Sequence, residues 1–182
     1  MPPAVSPLQL EYVREPGVSD ALDLELRELI SSSFPQPHNT FFKERRFAQE
    51  MPLHRWLMRD EASRLVAHLA VHEKRVLVGD SELAVGGIAE VCVHESQRGK
   101  GLVKQLLERA HRRLRDGGIE FALLFGEAPI YLSSGYVPLT VEIRWLDPES
   151  GAFQSGPRRS LYKALAERAW PDGQVDLRGP LF

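Results

Sequence analysis

The chain has 182 residues, 23 basic against 25 acidic, a net charge of −2 and 43% apolar side chains. That length suits one domain around one sizeable core. The even charge balance speaks against a protein that binds nucleic acid or an anionic membrane surface. Cys92 is the single cysteine, so no internal disulfide forms and a reducing compartment is the simplest setting. No apolar run reaches the ~20 residues that a membrane helix needs. The first ten residues lack the basic start and apolar core of a signal peptide, so a cytoplasmic location is expected.

Taken in order, Pro2, Pro3 and Pro7 leave the start as a frayed tail, and residues 8–14 alternate as a first strand. Ser19 or Asp20 caps a helix over residues 21–32, with Leu22, Leu26, Leu29 and Ile30 as its apolar stripe. Serine and proline punctuation ends it. Asn39 or Thr40 then caps a short second helix within residues 38–50, whose apolar members are Phe41, Phe42 and Phe47. Residues 53–59 read as a strand and residues 64–78 as a longer strand or a pair, since Leu65, Ala67, Leu69 and Val71 alternate with Val66, His68, Ala70 and His72. Gly79-Asp80-Ser81 turns the chain into a further strand, and this antiparallel meander leads to the strand at residues 86–93.

The most informative stretch follows. Ile88, Val91, Cys92 and Val93 form an apolar strand, residues 94–97 a polar turn, and Arg98-Gly99-Lys100-Gly101 runs into a helix over residues 100–116. Leu102, Val103, Leu106, Leu107, Ala110 and Leu114 line that helix, and Gly117-Gly118 stops it. Two glycines let the backbone bend sharply and come close to a ligand. The helix start has unpartnered N–H groups and the positive end of a dipole. Strand, glycine turn and helix start thus make an anion cradle, most often for phosphate. A Walker loop is excluded because Leu102 follows Gly101, and a dinucleotide fingerprint because the third glycine is missing. Residues 121–125, FALLF, read as a buried strand parallel and adjacent to the one before the helix. Residues 128–136 form a short helix stopped by Gly135 and lead to a strand over residues 137–145. Residues 147–158 read as a loop, and residues 160–165 as a strand closing the sheet. Residues 170–182 hold too much glycine and proline for a helix, while Leu177, Leu181 and Phe182 argue that this tail docks. His68 and His72 share a strand face but sit too far apart to chelate, and no third ligand is evident, so no catalytic metal is expected.

Arg98 and Gly101 fill the defined places of (R/Q)-x-x-G-x-(G/A), which resembles motif A of the GNAT acetyltransferase superfamily. Val103 stands where Gly or Ala is usual, and Glu95 where proline is common. One strand later, Ala128, Tyr131 four residues before Gly135, and Tyr136 resemble motif B. The resemblance is clear over residues 85–138. Val103 after Gly101-Leu102 resembles the aminoglycoside 2'-N-acetyltransferase branch. The tail with Trp170-Pro171, Asp176 and Gly179 is similar to that branch and to nodulation acyltransferase-like members.

This resemblance implies an α/β (α+β) fold, a single GNAT domain over residues 1–182, with a mixed sheet of about six to seven strands and about four helices. It implies acetyl-CoA as co-substrate, held by the strand at Val91, Cys92 and Val93 and by the turn at Arg98, Gly99, Lys100, Gly101, Leu102 and Val103. Tyr131 matches the family's general acid. Glu90, on the motif A strand and on one face with Cys92 and His94, is the candidate base; a terminal carboxylate at Phe182 or a water chain is the other. The expected reaction is direct transfer of acetyl to a primary amine of a small molecule. A non-catalytic module that holds acyl-CoA, or a longer acyl donor, is the alternative. The helix in residues 38–50 and the tail at residues 170–182 are expected beside the acceptor, and Glu90, Glu127, Asp172 and Asp176 could give it an acidic wall. Cys92 is expected as a small buried residue rather than a nucleophile. Relatives are often dimers, which leaves a homodimer open.

Overall fold

The computed structural model describes residues 8–34 and 40–182. Pro2, Pro3, Pro7 and Asn39 therefore lie outside the described residues. The Ser19 hydroxyl accepts from the Leu22 N–H at 3.3 Å, so α1 (Asp20–Ser33) begins where a side chain satisfies one of the orphan donors of the first turn. Its stripe of Leu22, Leu26, Leu29 and Ile30 is buried. Four antiparallel strands form the meander: β1 (Gln9–Arg14), β2 (His54–Arg59), β3 (Leu65–Val78) and β4 (Ser81–Val93). The β3–β4 reversal uses Gly79 at φ 55°, where a glycine carries no Cβ penalty. Helix α2 (Leu102–Asp116) crosses over the sheet, and β5 (Phe121–Phe125) returns parallel to β4. There follow α3 (Ala128–Tyr131), β6 (Val137–Leu139), β7 (Glu142–Leu146), β8 (Phe153–Pro157), β9 (Ser160–Ala164) and β10 (Val175–Asp176).

The strands join in one mixed sheet of order β6-β9-β5-β4-β3-β10-β7-β8, with β2 on β3 and β1 on β2. Pairing alternation assigns the two faces. Val71, Ile88, Ala84 and Ala122 pack beneath Leu106, Leu107 and Ala110 of α2. On the opposite face α1 covers Leu57, Leu65 and Cys92 at one end. Ile143, Val175 and Leu177 cover Val76, Leu83, Val85 and Phe121 at the other. No helix among the described residues is long and apolar enough to cross a membrane.

The α/β class is as expected, but among the described residues the sheet has ten strands rather than six or seven and there are three α-helices rather than four. The expected strand at residues 137–145 breaks at Thr140-Val141. There the chain leaves its antiparallel partner β9 and crosses to lie parallel to β10. The expected loop at residues 147–158 contains β8, an exposed strand with no apolar alternation to reveal it. The strand at residues 160–165 is β9, which lies between β5 and β6 rather than closing the sheet. The expected helix at residues 38–50 reduces to a 3-10 turn at Thr40–Lys43. Farther along, the Ala48 N–H bonds the Glu90 carboxylate and the Arg46 carbonyl bonds Arg55, so these backbone groups are satisfied outside any helix.

Candidate active site

The site starts from one surplus residue. Strands β4 and β5 pair from Val85–Phe121 to Ile88–Leu124 and then part. Between the Ala70–Ala89 and His68–Cys92 pairs, β4 has one residue more than β3, so Glu90 and Val91 together oppose Leu69. Glu90 takes φ 45°, which a non-glycine residue adopts only when its surroundings hold it there. A bulge of this kind bends its strand. As a result residues 91–93 keep β3 on one edge and, among the described residues, have no strand on the other.

That open edge feeds the glycine turn. Arg98 Nε donates back to the Val93 carbonyl at 3.2 Å, and Lys100 Nζ donates to Gln97 Oε1 at 2.8 Å. Gly99 and Gly101 sit at φ 75° and 73°, and a Cβ on either would meet nothing within 4 Å. Among the described residues, the turn therefore opens onto free space. Gly101 is the N-cap of α2 and offers no side-chain acceptor, so the first N–H groups of the helix keep their positive end for an outside anion.

Edge and turn border one cleft of about 430 Å³, which reaches Phe34 on one side and Ile130 and Tyr131 on the other. Tyr131 belongs to the core on the α2 face and Cys92 to the core on the α1 face. The cleft is thus bordered from both faces, where the sheet has split. The Tyr131 ring lies against Gly126, where a Cβ would stand 3.0 Å from it. Among the described residues no hydrogen bond engages its hydroxyl, and burial pushes its pKa up to about 12, so it remains protonated. A larger hollow of about 700 Å³, lined by residues 126–129, 138–142 and 157–161, contains none of the turn or edge residues.

Glu90 lies on the α1 side of the split. Its Oε1 accepts from the Ala48 N–H at 3.0 Å, while its Oε2 is buried with no partner among the described residues. Burial pushes its pKa up to about 7, against the pull of the nearby Arg55 guanidinium. Burial also pushes the Cys92 thiol up to about 12, which makes it a poor nucleophile at neutral pH. The expected acidic wall does not form. Asp176 pairs with Leu77, eight residues along β3 from the position facing Glu90, roughly 26 Å away, and it is bonded to Arg144 at 2.6 Å. Glu127 pairs with Arg159 at the surface, and Asp172 lies beside Gly79 at the far hairpin. The Phe182 ring rests on Gly87 beside Phe125 and His72, at 4.9 Å and 5.8 Å.

The sequence reading passed over two groups that surround Glu90. Arg55 is fully buried in β2, and the equally buried His68 was weighed only as a metal ligand. An arginine directly before the apolar run Trp56-Leu57-Met58 was the available signal.

These buried groups set the response to acid. Burial holds His72 and His111 down to about 3, and His68 well below its usual value. An unfolded chain takes these protons near pH 6.5, so the stability they contribute is present above that pH and is lost as pH falls. Glu90, raised to about 7, has the opposite sign and offsets one of the three between about pH 7 and 4.5. Each group changes stability by about 1.4 kcal/mol per pH unit, so urea unfolding should show a net loss of ~3 kcal/mol per unit at pH 5–6. An unchanged midpoint between pH 7 and 5 would show that these imidazoles are not held neutral.

A family profile described as acetyltransferase (GNAT) domain matches residues 22–139. Over 98 residues, 53% of this chain, the sequence is 32% identical to an aminoglycoside 2'-N-acetyltransferase from Mycolicibacterium fortuitum. That match spans 47% of the relative, so the alignment covers about half the length of this curated protein. Among solved structures, the fold matches the GNAT family N-acetyltransferase YhbS from Escherichia coli in complex with CoA. The TM-score is 0.64 at 19% identity, over 94% of this chain and 91% of that one. It also matches a GNAT family acetyltransferase from Brucella melitensis in complex with acetyl-CoA, with a TM-score of 0.57 at 18% identity over 92% and 94% of the two chains. At these identities the structural likeness concerns the fold.

Proposed function

Because the chain belongs to the GNAT acetyltransferase family, we propose that it is a CoA-dependent N-acetyltransferase that moves the acetyl group of acetyl-CoA directly to a primary amine of a small molecule. One observation carries this reading. An open strand edge, an uncapped helix start and a protonated tyrosine border the same cleft. The N–H groups at residues 101–104 suit the pyrophosphate, with Arg98 and Lys100 adding charge. The backbone of Val91 and Val93 suits the amides of the pantetheine arm, which would lie along the edge as an added strand. Tyr131 donates a hydrogen bond and then its proton to the departing sulfur. Glu90, on the other face of the split, takes the proton of the attacking amine, directly or through water. Much of the rate comes from holding donor and amine in line. The chain is read as one domain, since β10 joins the β7–β8 hairpin to β3 in a single sheet. The tail bounds the acceptor side, because Phe182 rests on the strand that carries Glu90.

Replacing Gly101 by Val tests the cradle. The substitution puts a β-branched residue at φ 73° and fills the space above the turn. Acetyl-CoA affinity should fall by about tenfold or more, against ~1–2 kcal/mol of stability, as read by calorimetric titration and urea unfolding. Equal affinity in the variant would place the pyrophosphate elsewhere.

The reading as a whole is tested by thermal unfolding with acetyl-CoA, followed by thiol release across an amine panel. Aminoglycosides come first, as the relative's name suggests, followed by polyamines and amino sugars. A raised midpoint with thiol release on one amine class supports it. A raised midpoint with no release on any amine, and none with longer acyl-CoA donors, would favour a module that holds acyl-CoA without turnover.

A further inference from the structure

The bulge at Glu90 costs backbone strain, so something must hold it. The holding groups form a chain of hydrogen bonds from the edge of α1 to the split. Arg46 Nη1 donates to Asp23 Oδ1 at 2.7 Å and Arg46 Nε to Glu15 Oε1 at 2.7 Å. Arg55 Nε donates to the other Glu15 oxygen at 2.5 Å. Arg55 Nη1 lies 3.0 Å from His68 Nε2, and His68 Nδ1 lies 2.9 Å from the Glu90 carbonyl. Arg55 and His68 are both fully buried.

The proton positions follow from the partners. A guanidinium only donates, so His68 Nε2 must accept from Arg55. A carbonyl only accepts, so His68 Nδ1 must carry the hydrogen. The imidazole is therefore neutral, in a single tautomer and a single orientation, with no freedom left at either nitrogen. Ala48, two residues past Arg46, adds a second tie to the same residue through its N–H on Glu90 Oε1 at 3.0 Å. Glu90 is thus gripped at both its carbonyl and its carboxylate.

We propose that His68, braced by Arg55, is a positioning residue that fixes the Glu90 bulge, and with it both the open edge at residues 91–93 and the aim of the Glu90 carboxylate. The edge exists because β4 turns away from β5 at this residue, and the carboxylate reaches Ala48 because the same residue stands in the left-handed region. One imidazole sets both. The part concerning the carboxylate rests on the reading of Glu90 as proton acceptor; the part concerning the edge does not.

The test needs no acceptor. In the full-length protein, ¹⁵N spectra of the imidazoles should show His68 as the Nδ1–H tautomer, unchanged from pH 8 to 5. An Nε2–H or charged ring would overturn the proposal. His68→Leu and His68→Gln are then compared by two readouts, acetyl-CoA affinity by calorimetry and the Glu90 side-chain titration by ¹³C NMR. Gln can still offer one donor and one acceptor. His68→Leu should weaken acetyl-CoA binding by roughly tenfold and displace the Glu90 midpoint by about half a pH unit or more, because the partner groups are left unmatched. His68→Gln should restore most of both. A purely structural histidine would lower the melting temperature of His68→Leu and leave both readouts in place, and that result would overturn the proposal. If His68→Leu does not fold, the Gln variant and the tautomer decide it. Glu90→Gln, assayed with whichever amine releases thiol, separates the two readings. A wild-type rate there sinks Glu90 as the base, while the effect of His68→Leu on acetyl-CoA affinity must still appear.

Discussion

Tyr131→Phe is expected to slow acetyl transfer by about 10²–10⁴-fold, the usual contribution of a positioned acid or base, with acetyl-CoA binding unchanged. The reason lies in the site. The hydroxyl is committed to no hydrogen bond among the described residues, borders the cleft, and is held protonated at every working pH by burial. Removing one oxygen leaves the ring packed against Gly126 and edge-on to Tyr136 at 5.9 Å, so fold and cleft should persist. Single-turnover thiol release alongside calorimetric acetyl-CoA affinity checks this. A kcat within threefold of wild type would assign the proton to another donor and return Tyr131 to the core.

Arg55→Met is the substitution expected to cost most stability. Arg55 is fully buried, pairs with Glu15 at 2.5 Å and occupies the lone pair of His68. Breaking a buried pair by removing one partner costs about 3–5 kcal/mol, because the remaining groups stay desolvated without their counterpart. That is a large fraction of the 5–15 kcal/mol typical of whole domains. Arg46 still bonds Glu15 at 2.7 Å and softens the loss. A second effect separates charge from packing. The Arg55 guanidinium pulls the Glu90 pKa down, so its loss should move the Glu90 titration above about 7. In activity terms, the acid limb of the pH–rate profile should move to higher pH. Urea unfolding with an unchanged slope and a cost under 1 kcal/mol would refute the account of the pair.

What could be read in the chain and what could not divide along physical lines. The glycine turn, α2 and β5 were legible because each is set by local spacing. Leu102, Leu106, Leu107, Ala110 and Leu114 mark a helix by themselves, and Phe121–Phe125 is a continuous apolar run that marks a buried strand. The position of Tyr131 beside the cleft was legible for the same reason, since it lies a fixed distance before Gly135, which stands at φ 84°. Glu90 was found on its strand, but its bulge was not, since a bulge is a property of register against β3 and has no local mark. Arg55, and the tie of His68 to Glu90, have no local mark because the partners lie far away in sequence: Glu15 is 40 residues from Arg55, and Glu90 is 22 from His68. The acidic wall failed for the same reason. Counting carboxylates says nothing of which strand ends they occupy. β8 and β10 were missed because they are short and owe their extended form to neighbours rather than to alternation.

The placement of β10 has a consequence for the order in which the molecule is assembled. Among the described residues, the strands beside β7 are β8 and β10, so the β7–β8 hairpin reaches β3 only through Val175 and Asp176. Leu146 and Leu177 add backbone bonds within the same junction. During synthesis the hairpin has no place to dock until those two residues emerge, about 30 residues after β7 ends, which at 5–20 residues per second is a wait of roughly 1.5–6 s. Through that interval the apolar patch of Val76, Val78 and Leu83 lacks the cover of Val175 and Leu177. In the finished protein the same junction should open first. Amides of β7 and β8 are expected to exchange with solvent well before those of β3 and β4, making this corner a separately unlatching unit beside the durable half that carries the cleft.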